Sequence, residues 1–234
     1  MKGIIVELLD FCGSDAAIAN SARVSFSQFG EWNEIPEGYS EGKCEKLIKY
    51  LASHNHSSPF RHNCITVRCQ APIFIARQLM KHQAGLSWNE SSRRYVDSEP
   101  AFFTPDKWRS RPEGSLKQGS GSGEVETLFR NIGDIGYTDT TAIVYEEHIQ
   151  SSIEVYNDML SAGVAPELAR MVLPQSMLVD WVWSGNLLAF AHCFNLRIKE
   201  NAQIEAQEFA KELDKVIAPL FPIAWQALTG EQHK

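Results

Sequence analysis

The chain changes its hydrophobic period at Pro72, and that switch limits what it can fold into. Ahead of it, residues 64–69 alternate, with Ile65 and Val67 on one face and Thr66 and Arg68 on the other. A period of two over such a length is the pattern of a half-buried strand. Pro72 then suits the first turn of a helix running to about Gln83, since its missing N–H costs nothing there. On that helix Arg77 and Lys81 would share a face, as would Gln78 and His82. Two like charges at that spacing repel, and an anion held beside them would remove the cost. Gly85, tolerant of the left-handed conformation, would end the helix.

The remaining pattern extends this order. Residues 3–9 and 24–26 read as strands, and Glu41–Ser53 as an amphipathic helix through Leu47, Ile48 and Leu51. Residues 54–62 read as a polar turn containing Pro59. The last hundred residues predict helices: 139–162 with Asp139 as N-cap, 166–174 between prolines, then about 175–183, 186–197 and 202–217. Strands with one helix between, followed mostly by helices, indicate an α+β protein rather than a doubly wound parallel sheet. The 234 residues are within reach of one domain spanning 1–234. Residues 111–124, rich in Gly, Ser and Lys, predict a mobile surface loop. Its Gly119-Ser120-Gly121-Ser122-Gly123 follows no apolar strand, so it is not a dinucleotide fingerprint.

Composition excludes several classes of partner. The net charge of -7 argues against broad nucleic-acid binding, which runs on excess Lys and Arg. No apolar run is long enough to span a membrane. Glu7 interrupts the short apolar start, which reads as a strand rather than a signal peptide; a cytoplasmic location is expected. Cys12, Cys44, Cys64, Cys69 and Cys193 are odd in number and scattered, with no Cys-x-x-Cys. They suggest neither a disulfide framework nor a thiolate zinc site. His54, His56 and His62 have no carboxylate among them, so no metal is expected.

The chemistry concentrates in residues 81–95, where Lys81, His82, Gln83, Trp88, Asn89, Glu90, Ser91, Ser92, Arg93, Arg94 and Tyr95 gather. Arginine forks match phosphate oxygens in pairs, and aromatics offer faces to flat rings. An acidic protein that binds an anion must concentrate its arginines locally in this way. Arg170 lies in the apolar run Leu168–Leu173, where it needs either an ion-pair partner or a ligand. Arg197 is either a helix-end cation complementing the dipole or part of a polar site with Asn186 and residues 201–205. No Gly-x-Ser-x-Gly elbow occurs, and no cysteine has neighbours that would activate it. Cation and amide clusters without a protein nucleophile suit an enzyme whose reactive group is a cofactor.

These residues resemble a known family. Ala71-Pro72-Ile73-Phe74-Ile75-Ala76-Arg77-Gln78, Lys81-His82-Gln83 and Trp88–Tyr95 are similar to the signature of flavin-dependent thymidylate synthases. Ala22–Phe26, Ser57–Phe60, Ala169–Pro174, Asn195-Leu196-Arg197 and Ala202-Gln203 match in the family's order. The chain departs where the family has Arg-His-Arg and one residue fewer before the serine. The resemblance implies a small antiparallel sheet with long helices, assembled as a homotetramer with shared sites. It implies non-covalent FAD, with NADPH and methylenetetrahydrofolate, and conversion of dUMP to dTMP without a cysteine nucleophile. By match, His56, Ser58, Lys81, His82, Gln83, Glu90, Asn186, Leu188 and His192 are cofactor contacts. Gln78, Lys81, Glu90, Ser91, Ser92, Arg93, Arg94, Arg170 and Arg197 are substrate contacts, with Arg197 catalytic through its charge on the pyrimidine. The alternatives are another flavin-dependent enzyme acting on a uracil nucleotide, or a non-catalytic nucleotide-binding oligomer.

Overall fold

A computed structural model describes residues 3–27, 31–35, 39–96, 98–112, 119–132 and 135–230. Strands β1 (Ile5–Cys12), β2 (Cys64–Pro72), β3 (Leu86–Glu90) and β6 (Leu178–Gly185) form one antiparallel sheet in the order β1-β2-β6-β3. The alternation of β2 decides its faces. Val67 lies opposite Trp183 and Cys69 opposite Trp181, and all four are buried. On the other face Arg68 donates to Glu7 Oε2 at 3.0 Å and to Asp180 Oδ1 at 2.8 Å. That half-exposed triad adds little energy, but a one-residue slip would bury its charges, so it helps hold the register.

The buried face is covered by α6 (Leu187–Arg197) and α7 (Ile204–Ile217). Trp181 stacks between Trp88, at 4.3 Å, and Phe209, at 5.8 Å, while Trp183 meets the edge of Phe190 at 5.3 Å. Aromatics of this size dominate core energetics through the apolar area they remove from water. Helices α1 (Asp15–Arg23), α2 (Glu41–Ser53) and α8 (Pro222–Thr229) pack together at one end. The Asp15 carboxylate accepts from the backbone N–H of Ile223 and Ala224 at 2.8 and 2.9 Å, satisfying the start of α8.

Strands β4 (Thr127–Ile132) and β5 (Ile135–Thr140) make a separate hairpin that leads into α4 (Thr141–Ser161). The short helices α3 (Ile73–Leu79) and α5 (Pro166–Ala169) complete the order. Among the described residues no helix is long and apolar enough to cross a membrane.

Several sequence expectations need correction. Residues 24–26 form a 3-10 turn rather than a strand, because α1 runs straight into them. Residues 178–185 are strand β6 and not a helix. The stretch Leu178–Trp183 alternates like β2, and its tryptophans are held by the sheet's apolar face. Asp139 is the penultimate residue of β5, and Thr140 caps α4 instead, accepting from Ile143 N at 3.2 Å. Helix α3 stops at Leu79, so Lys81 and His82 lie beyond it and do not share a helical face with Arg77 and Gln78. Gly85 sits not at a helix end but in the turn before β3, with φ +78°. A Cβ there would lie 2.6 Å from Asn186 Nδ2, so only glycine fits. Of the expected loop, residues 119–124 lie against residues 109 and 110. Ser110 N donates to Gly123 O at 2.8 Å, and Arg109 Nε donates to Ser120 Oγ at 2.8 Å. Residues 113–118 of that loop lie outside the described residues.

Candidate active site

Helix α6 places Arg197 in its last turn, and the turn after α3 brings His82 against it. Arg197 Nε donates to His82 Nε2 at 3.2 Å, and Arg197 Nη2 donates to the Gln78 carbonyl at 2.9 Å. Burial first, then the charges of Arg197 and His192, push the His82 pKa down from 6.5 to about 4. His82 is therefore neutral near pH 7, and its Nε2 is an acceptor; the ring proton belongs on Nδ1. Gln78 is fixed in turn, its Nε2 donating to Gln203 Oε1 at 2.7 Å. Two bonds hold the Arg197 guanidinium while its remaining N–H groups stay available. The sequence showed residues 201–205 as an amide cluster without revealing the Gln203–Gln78 bond, which joins the residue before α7 to α3 across 125 positions.

Beside this cluster lies a cavity of ≈ 370 Å³, lined by His56, Phe60, Leu188, His192 and Asn195 among others. Asn195 is buried, and its Oδ1 has no hydrogen-bond partner although its Nδ2 donates to Leu228 O at 2.9 Å. The structure thus brings His56, Leu188 and His192 to one cavity. Ser58 is exposed in the adjoining 3-10 turn. Asn186 caps α6, accepting from Ala189 N at 3.0 Å, so its side-chain oxygen is committed to the helix start. Lys81 and Gln83 are exposed in the turn after α3.

A second cluster surrounds a cleft of ≈ 390 Å³ lined by Glu90, Ser91, Ser92, Arg93, Arg170 and Asp180 among others. Here β3 ends in a turn. Ser91 N donates to Asp180 O at 2.8 Å, and Tyr95 N to Ser92 O at 2.9 Å. Arg93 Nη1 donates to the Ser98 carbonyl. Arg94 leans on Ser92 Oγ through Nε at 3.2 Å and lies 5.0 Å from the Tyr95 ring centre. Trp88 Nε1 donates to Glu90 Oε2 at 3.2 Å. Arg170 donates through Nε to the Glu167 carbonyl at 3.3 Å and makes no ion pair among the described residues. The structural ion pair considered for Arg170 is not found among the described residues. Among the described residues none borders both cavities.

The rest of the chemistry is quiet. Cys193 is buried, and its pKa is pushed up to about 12 by that burial, against the smaller pull of Arg197. Cys69 is raised well above its ordinary value, again by burial. Among the described residues no group of three or more His, Cys, Asp or Glu is placed to hold a metal.

Fold and clusters together define an α+β protein with a fixed guanidinium beside one cavity and exposed arginines around a second cleft. The family model described as "Thymidylate synthase complementing protein" matches residues 7–223. A flavin-dependent thymidylate synthase of Thermosipho africanus is 34% identical over 100% of this chain and 93% of its own length. The enzyme of that name from Borreliella burgdorferi is 31% identical over 97% and 80%. The crystal structure of a UMP/dUMP methylase, PolB from Streptomyces cacaoi, bound with 5-Br dUMP, superposes with TM-score 0.78 at 30% identity. That likeness covers 97% of this chain and 95% of PolB. The chain belongs to the flavin-dependent thymidylate synthase family.

Proposed function

We propose that the protein methylates dUMP to dTMP, with FAD as bound cofactor, NADPH as reductant and methylenetetrahydrofolate as one-carbon donor. Membership of the family supports the reaction class. The observation that carries the site is the Arg197–His82–Gln78 cluster: a fixed cation whose histidine partner is neutral. Uracil C5 is a poor nucleophile, and using it builds negative charge on the N3–O2 edge of the ring. A preorganised guanidinium facing that edge stabilises the charge without reorganising. Neutral His82 keeps the guanidinium oriented without competing for the charge.

The cofactor contacts fit a flavin. His56, Leu188 and His192 supply flat and apolar surface, Asn195 Oδ1 is an unused acceptor, and His82 stands alongside. When bound, FAD supplies hydride to the one-carbon unit; the protein contributes position and charge. Ser58, Lys81, Gln83, Glu90 and Asn186 complete the proposed cofactor set. Gln78, Glu90, Ser91, Ser92, Arg93, Arg94 and Arg170 hold the nucleotide, with the arginines and Lys81 taking the phosphate and Arg197 the pyrimidine.

Among the described residues the cavity beside His82 and the arginine cleft share no lining residue, which supports a homotetramer in which one copy's Arg197 cluster meets another's arginine turn. The test is coupled: NADPH oxidation stimulated by dUMP, with dTMP formed from methylenetetrahydrofolate. Flavin-bound protein that oxidises NADPH but forms no dTMP would favour another uracil-directed flavoenzyme. Nucleotide binding without flavin would leave only a binding oligomer. Mixing Arg197→Ala with Arg170→Ala protein, after dissociation and reassembly, should restore part of the activity. A monomer that turns over contradicts the shared site.

A further inference from the structure

Cys12 and Cys64 stand directly opposite each other where β1 ends and β2 begins. Both are exposed free thiols, whereas Cys44, Cys69 and Cys193 are buried. Directly opposed residues of an antiparallel pair have Cα atoms about 4.5 or about 5.5 Å apart, depending on the hydrogen-bond class. Both spacings fall inside the roughly 4.4–6.8 Å that a disulfide spans, and opposed side chains leave the sheet on the same face. The register shifts once, between Leu8 and Asp10, and runs in step from there to the end, with Asp10 opposite Thr66 and Phe11 opposite Ile65. The pairing does not splay beyond it. Gly13, at φ +106°, approaches Asn63 so closely that a Cβ would lie 2.8 Å from Asn63 Cβ. Asn63 in turn accepts from Leu187 N at 2.7 Å, tying this corner to the start of α6.

We propose that Cys12 and Cys64 form a redox modification site, a cross-strand dithiol oxidised reversibly to a disulfide by a hydroperoxide. One thiolate attacks a peroxide oxygen; the O–O bond breaks, leaving a sulfenic acid and hydroxide, which takes a proton and leaves as water. The second sulfur then displaces the sulfenic oxygen as another water, and the S–S bond forms. Two thiols are oxidised and one hydrogen peroxide is reduced to two waters. A dithiol reductant reverses the step by exchange. The bond closes the long loop between β1 and β2 and stiffens the corner that carries Asn63 and Leu187. The site does not depend on the flavin reading.

The experiment treats the intact, flavin-loaded protein with hydrogen peroxide, blocks free thiols with iodoacetamide and maps peptides by mass. The expected product is one peptide joining Cys12 to Cys64 within a chain, lost on adding dithiothreitol. Its thermal transition should rise by about several degrees, as removing unfolded-state freedom predicts. Cys12→Ser should abolish both the linked peptide and the thermal shift, leaving Cys64 to oxidise alone. Single oxidation of each cysteine in the wild type, linkage between chains, or two thiols that stay reduced while the unfolded protein oxidises would each overturn the proposal.

Discussion

The Arg197 cluster and the arginine turn after β3 hold the same chemistry in opposite states. Arg197 is half-buried and held by two bonds, one to a neutral imidazole and one to a backbone carbonyl. Arg94 and Arg170 are exposed and lean on a hydroxyl and a carbonyl. The first cation is set before any ligand arrives; the second pair needs an anion to complete it. Charge that must act on a transition state profits from preorganisation, whereas charge that only grips a phosphate works as well from a flexible rim.

The largest expected effect tests the preset half. Arg197→Ala should cost about 3 to 4 kcal/mol of barrier to dTMP formation, with flavin absorbance largely retained. Near wild-type turnover would reduce Arg197 to a helix-end cation and remove the contrast. A loss of similar size, but in stability, is expected from Trp181→Ala. Truncating a buried aromatic between two others typically costs about 3 to 5 kcal/mol. Urea unfolding should show it, and a cost below 1 kcal/mol, roughly the scale of a surface change, would mean that the sheet does not organise the α6 and α7 face.

The rim should respond by ligand rather than by rate. Arg94→Ala and Arg170→Ala should each weaken dUMP by about 1.5 to 3 kcal/mol, the scale of a charged hydrogen bond, while leaving deoxyuridine nearly unchanged. Equal losses for both ligands would make these arginines structural.

A smaller effect follows from His82. Its folded pKa, about 4, lies below the ordinary 6.5, so the folded state refuses a proton that the unfolded chain accepts. Stability should therefore be level above pH 6.5, fall as pH drops from 6.5 toward about 4, and level off below that. Urea midpoints across this window should fall less in His82→Phe than in the wild type. An identical fall would place the titration elsewhere. Smallest of all, Cys193→Ser should keep turnover within about tenfold, near 1.4 kcal/mol in barrier, because a thiol at about 12 holds almost no thiolate. Loss of activity with ligands still bound would demand a covalent mechanism.

Local pattern alone was enough for much of this molecule. The period-two run of residues 64–69 and the apolar spacing of Glu41–Ser53 identify their elements, because each needs only a local face to bury. The signature residues and their order were likewise legible, since phosphate and flat rings demand particular side chains wherever the chain puts them. What local pattern could not settle is pairing. Residues 178–183 alternate too, yet they read as a helix in a helical neighbourhood until β2 and β3 flank them and the apolar face takes both tryptophans. Helix α3 is shorter than its pattern because His82 turns back to meet Arg197, a contact between residues far apart in the chain. Cysteines that looked scattered meet at Cys12 and Cys64 only because the β1–β2 register brings them face to face. Side-chain chemistry is a property of residues and is written in order; neutral His82, oriented Arg197 and opposed thiols are properties of distance, and only the tertiary structure sets distance.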